Sequence, residues 1–123
     1  MIDLLNKYSR KISNAGLCQE GQPLLAGLDD ELVFNRQSED QKIMQPVFDR
    51  LSINSLLLAP LAEPYATMVN HLAQGRQSIR PEDCETRTFL HDLPIAPELT
   101  ADTAVQALSR RKCLIVPGRG VLA

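Results

Sequence analysis

An α/β domain with a central mixed sheet covered by helices is the architecture this sequence predicts, from three observations. Two short apolar runs, residues 53–59 and 113–116, stop at Pro60 and Pro117 and read as buried strands. Stretches with apolar residues at helical spacing precede and separate them, so helices and strands alternate as they do in layered α/β domains. The third observation is size and content. The 123 residues, 44% hydrophobic and 23% charged, are one domain's worth of ordinary globular sequence and exclude wholesale disorder. A chain of this length buries roughly two-thirds of the surface its unfolded form exposes. Aromatics are only 4% and Trp is absent, so Leu, Ile, Val and Ala must fill the core.

The first helix is expected over 2–15, where Ile2, Leu5, Tyr8 and Ile12 fall near helical spacing and Gly16 stands where a C-cap glycine belongs. Leu24, Leu25 and Leu28 before Asp29-Asp30, with Leu32-Val33-Phe34 after, predict two short strands around a turn. Ser38, with Gln41 three residues on, is placed as the capping box of a helix over 39–51 that buries Ile43, Val47 and Leu51. Pro46 costs about 3 kcal/mol in a helix interior, so this helix must kink or start later. After the strand at 53–59, Pro64 suits the first turn of a helix to Gln74 that Gly75 closes. Tyr65, Met68, Val69 and Leu72 form its apolar stripe. Residues 80–99 carry Pro81, Pro94 and Pro97 and read as loop, with one short strand at 86–90. Thr100 caps a last helix that buries Ala104, Val105 and Leu108, and Arg110-Arg111-Lys112 oppose the negative end of its dipole. The strand at 113–116 then runs into Pro117-Gly118-Arg119-Gly120.

Composition also removes function classes. The net charge is -2, which argues against nucleic-acid binding through a broad basic face. The longest apolar stretch, 56–62, is far too short to span a bilayer, and no membrane association is expected. The N-terminus is polar and amphipathic and does not read as a signal peptide. Cys18, Cys84 and Cys113 are odd in number, widely spaced and without a CxxC pair, so neither a zinc knuckle nor a disulfide framework is supported. A cytoplasmic, reducing setting is the expectation.

Two stretches point to a family. Leu56-Leu57-Leu58-Ala59-Pro60-Leu61-Ala62-Glu63-Pro64-Tyr65-Ala66-Thr67 resembles the strand-to-helix junction of the class II aldolase/adducin family. There an apolar strand runs into His-x-His, followed by Ser-Pro-Tyr-Ala-Thr opening a helix. Cys113-Leu114-Ile115-Val116-Pro117-Gly118-Arg119-Gly120-Val121-Leu122-Ala123 resembles the family's second strand and its Asn-His-Gly-Val segment. Asp92-Leu93-Pro94-Ile95-Ala96-Pro97, the helix after Thr100, and the opening Tyr8-Ser9-Arg10-Lys11 through Ala15-Gly16-Leu17 also fall in family order. The resemblance spans nearly the whole chain. It implies one class II aldolase-like domain over 1–123, layered α/β/α around a mixed, largely antiparallel sheet and shortened at its C-terminus. It also implies a homo-oligomer, and Leu24, Leu25, Leu28, Val121 and Leu122 are the apolar surfaces expected to need cover.

The resemblance breaks where the chemistry should be. Family members hold a divalent metal with three histidines, which ligate while neutral and leave positions open for substrate. Carried across, those positions fall on Pro60, Ala62 and Arg119. Proline and alanine side chains have no lone pair, and arginine has only donors. No metal, no cofactor and no catalytic residue is therefore expected. His71 and His91 have no metal-ligand spacing and read as surface or capping residues. The family's Gly-Thr-Ser-Gly-Asn phosphate loop corresponds to Gly16-Leu17-Cys18-Gln19-Glu20-Gly21-Gln22, which has no hydroxyl and carries an anion. The family glutamate falls on Gln41, or on Glu39 with a two-residue shift.

Two functional readings follow. One is a non-catalytic aldolase-like binding or assembly module. The other is a repurposed enzyme, or a binder of a small anion such as a sugar phosphate or carboxylate, in a vestigial cleft around Arg119. Its candidate residues are Arg119 between Gly118 and Gly120, with Glu63 and Tyr65 from the strand-to-helix junction. If no ligand is held, Arg119 is expected to pair with a nearby carboxylate such as Glu63 or to lie in solvent.

Overall fold

The structure, a computed structural model, describes residues 1–83, 85, 88 and 91–123. Four helices have both ends among the described residues: α1 (Ile2–Asn14), α2 (Gln41–Arg50), α3 (Tyr65–Ala73) and α4 (Ala101–Leu108). The strands are β1 (Leu24–Leu28), β2 (Leu32–Phe34), β3 (Ser55–Ala59), β4 (Ser78–Ile79), β5 (Leu93–Pro94), β6 (Leu114–Val116) and β7 (Gly120–Leu122). Five of them form one sheet in the order β2-β1-β3-β7-β6, and β4 pairs with β5 separately. Every ladder is antiparallel. Among the described residues, the parallel character expected of a mixed sheet reduces to one bridge, Ile95 to Ile115, beside β6.

Alternation along the strands divides the sheet into two faces. Leu24 lies opposite Leu58, Leu58 opposite Leu122, and Leu122 opposite Leu114, so four leucines form a row across four strands. They are the centre of the core, joined by Met44 and Val47 of α2 and Ala104 of α4. On the other face α1 lies so close to β1 that a Cβ added at Gly27 would stand 2.8 Å from Met1 Sδ and 3.3 Å from Leu5 Cδ2. The α/β/α layering follows from these two packings.

Local capping agrees with the sequence in part. Gly16 at φ +80 closes α1 as expected, with Gly16 N–H donating to Ser13 O and Leu17 N–H to Ile12 O, a Schellman ending. Thr100 caps α4, accepting from Thr103 N–H at 3.1 Å while Thr103 Oγ1 accepts from Thr100 N–H at 3.0 Å. Ser38 and Gln41 do not form a capping box. Ser38 Oγ accepts from Asp40 N–H, and Gln41 Nε2 donates to Arg36 O at 2.7 Å, because α2 begins only at Gln41. The late start leaves Pro46 six residues into the helix.

Other expectations are corrected. In α1, Leu5 and Ser9 are buried, whereas Ile2 and Tyr8 are exposed. The stripe of α3 faces outward: Tyr65 is 39%, Met68 55% and Leu72 45% exposed. Helical spacing marks an apolar face but cannot say whether a partner element lies within the same chain. Arg110 to Lys112 lie beyond the end of α4, which stops at Leu108. The surfaces expected to need cover are mostly core: Leu24 and Leu122 are fully buried, Leu25 is buried, and only Leu28 is exposed. The strand expected over 86–90 is not found at Thr88, which is helical like Glu85, and 86, 87, 89 and 90 lie outside the described residues. Cys84 lies outside them as well. β7 has no counterpart among the expected strands, because Gly120 and the turn before it obscure so short a strand.

Candidate functional site

The junction after β3, the β6–β7 turn and the start of α2 converge at one end of the sheet. Val116-Pro117-Gly118-Arg119 is a tight turn closed by Arg119 N–H to Val116 O at 2.9 Å. Pro117 and Gly118 hold its central positions, and Gly118 has the φ of +80 that a type II turn requires there. Gly120, at φ +119, brings β7 against the end of β3: a Cβ there would stand 2.1 Å from Ala59 O and 2.9 Å from Pro60 Cα. That contact makes Pro60 and Arg119 neighbours. They line a small cavity of about 110 Å³ with Leu61, Ala66, Val69 and Asn70.

Arg119 does not pair with Glu63. Its Nη2 donates to Asp40 Oδ1, at the N-cap of α2. The arginine side chain is 46% and the aspartate 24% exposed, so the ion pair sits at the mouth of the cavity rather than inside it. Glu63 is engaged elsewhere. Its Oε2 accepts from Thr67 Oγ1 at 2.6 Å and from Thr67 N–H at 3.3 Å, tying the first turn of α3. Tyr65 opens α3 with its side chain exposed and does not line the cavity. Of the five candidates, the structure therefore groups Gly118, Arg119 and Gly120 and leaves Glu63 and Tyr65 out.

Two members of the site escape the sequence reading. Asp40 carries no sign beyond its place near a helix start. Asn70, whose Oδ1 accepts from Gly118 N–H at 3.1 Å, fixes the turn to α3 and has no signal at all. Gln41, the match to the family glutamate, spends its amide on Arg36 O. Glu39, the alternative, forms an exposed pair with Lys42 at 3.2 Å.

The donor set does not suit a metal. Pro60 and Ala62 offer no side-chain lone pair, and the Arg119 guanidinium is a cation already held by a carboxylate. Among the described residues, no three His, Cys, Asp or Glu side chains lie together in a metal-binding group. His71 sits on the exposed side of α3 and His91 is exposed beyond β4. The 16–22 segment, which the resemblance sets against the family's phosphate loop, is anchored at Leu17 and Cys18 and otherwise exposed. Cys18 is 3% exposed, burial raises its thiol pKa, and Leu17 O accepts from Ala62 N–H at 2.8 Å.

A sheet in the order β2-β1-β3-β7-β6, with α1 and the α2/α4 pair on opposite faces, has the class II aldolase fold. Comparison with solved structures shows this directly. The chain superimposes on L-fuculose-1-phosphate aldolase from Thermus thermophilus with a TM-score of 0.79 and 14% identity, covering 99% of this chain and 77% of that one. A second structure, an L-fuculose 1-phosphate aldolase, gives a TM-score of 0.74 and 16% identity, covering 99% and 73%. No protein-family model and no curated protein matches the sequence.

Proposed function

We propose that the chain uses an aldolase-like scaffold as a binding and assembly module, without metal-dependent aldol chemistry. One observation carries this reading: the three positions matching the family's ligands hold Pro60, Ala62 and an Arg119 whose charge is taken by Asp40. Self-association completes the proposal. Tyr65, Met68 and Leu72 stand at i, i+3 and i+7 on α3, a solvent-facing apolar stripe of the kind a second copy covers. A reducing cytoplasmic setting fits the free thiols of Cys18 and Cys113.

The test is metal binding and turnover on one preparation. Dialysed protein is expected to hold no stoichiometric zinc and to leave L-fuculose 1-phosphate uncleaved with zinc added. Stoichiometric zinc removed by substitutions around residue 119, or metal-dependent cleavage, overturns the reading.

A second reading has its own observation: nearly half of the Arg119 side chain is open to solvent beside the 110 Å³ cavity. A small carboxylate or phosphate displacing Asp40 would take the same guanidinium donors. Such an anion would compete with an attached carboxylate at high effective concentration, so its binding is expected to be weak.

A further inference from the structure

Two larger concavities, of about 720 and 630 Å³, border the segment that follows β5. One, of about 630 Å³, is walled by Gln77, by residues 92 and 94–97, and by the last turn of α4 with Ser109, Arg110 and Arg111. Its size falls within the range typical of small-molecule pockets, about 300–1,000 Å³. Its floor is apolar and firmly packed: Leu114 is 1% and Ala96 8% exposed, and Ala96 N–H donates to Ile115 O at 3.0 Å.

The polar wall is organised before any ligand arrives. Arg111 Nε donates to Asp92 Oδ1, and Arg111 Nη1 donates to Arg110 O at 3.0 Å, so the guanidinium plane is held on two sides. The Arg111 hydrogen bond and charge hold the Asp92 carboxyl below its usual pKa, so the pair stays ionised. Arg111 and Asp92 cancel. Arg110 remains, exposed and without a side-chain ion pair among the described residues, leaving the cleft one positive charge over. The carbonyl end of α4 draws on that charge, so the cleft suits a monoanion better than a dianion. A guanidinium beside an apolar floor selects a carboxylate carried on an apolar body.

We propose that the cleft between β5 and α4 binds a small amphipathic monocarboxylate, with Arg110 holding the carboxylate and Ile95, Ala96 and Leu114 flooring its apolar part. The site is separate from the Arg119 end of the sheet and does not depend on the function proposed for it.

Amide chemical shifts of the full chain, titrated with hexanoate, acetate and hexanamide, test the proposal. Hexanoate is expected to give saturable shifts at Ile95, Ala96, Ala107, Arg110 and Arg111. Acetate, lacking the apolar body, is expected to bind at least tenfold more weakly, and hexanamide, lacking the charge, to give no saturation. Arg110→Gln should weaken hexanoate at least tenfold while leaving the rest of the spectrum and the melting temperature unchanged. Equal shifts with hexanamide, unchanged affinity in Arg110→Gln, or shifts confined to 118–120 overturn it.

Discussion

Gly118, in the β6–β7 turn, and Gly120, opening β7, stand two residues apart, yet they are glycine for different reasons. At Gly118 only the positive φ matters, because a Cβ there would meet nothing within 4 Å. Gly118→Ala is therefore expected to cost about 1–2 kcal/mol, the strain of a left-handed backbone on an L-residue. At Gly120 the Cβ would lie inside the Ala59 carbonyl, and the obstacle is backbone that cannot swing away. Gly120→Ala should cost more than about 4 kcal/mol, a rare size for a single substitution, or prevent folding. Urea denaturation of both variants measures the difference, and equal costs would refute this account. The Arg119–Asp40 pair behaves otherwise. It is partly exposed, so Asp40→Ala should lower stability by only about 0–1 kcal/mol. The same substitution frees the guanidinium, so any affinity for inorganic phosphate or acetate at Arg119 should rise in Asp40→Ala and vanish in Arg119→Ala. Affinity that falls in Asp40→Ala would exclude the anion reading at this end of the sheet.

Among the elements, α4 has a start legible from its cap, because Thr100 stands in the sequence immediately before it. Thr100→Ala removes the acceptor for Thr103 N–H and is expected to cost about 1 kcal/mol, measured as a lower melting temperature. The β5–α4 connection adds a pH dependence through Asp92. Its carboxyl pKa is lowered in the folded state by Arg111, so the contribution is fully present above the unfolded value near 3.9 and is lost as pH falls through the lower folded value. Wild type should lose stability more steeply than Asp92→Asn below about pH 4, and parallel acid-denaturation curves would disprove the coupling. Elements whose signal is local were legible: the Gly16 ending, the β1–β2 turn, and the Leu114–Val116 strand. What depended on tertiary placement was not. Spacing marks Tyr65, Met68 and Leu72 as an apolar face, but only the fold shows that no element of the described chain covers it. Likewise the turn holding Arg119 could be read from Pro117-Gly118, whereas Asp40 lies 79 positions away in sequence and meets it only through the sheet.

For the whole molecule, the α3 stripe leads to a concentration-dependent prediction. Sedimentation at tens of micromolar is expected to show a dimer or larger ring, and Met68→Glu to shift it toward 13.7 kDa without unfolding. A monomer under both conditions removes self-association from the proposed function. The two ends of the sheet differ in a way that bears on colloidal behaviour. At β6 the outer rim is shielded by the Ile95 bridge and the Ala96 N–H to Ile115 O bond. At β2 no further strand pairs among the described residues, and Leu32 and Phe34, whose backbone groups turn away from β1, offer amides and carbonyls to any extended chain that meets them. The turn leading into that rim is Asp29-Asp30-Glu31, all exposed. Like-charged tips repel, so two molecules approaching rim to rim meet their densest negative charge first, and this guards an otherwise sticky border against fibril-like stacking. The guard weakens with salt and with acid, which makes turbidity the property through which this short hairpin would be noticed.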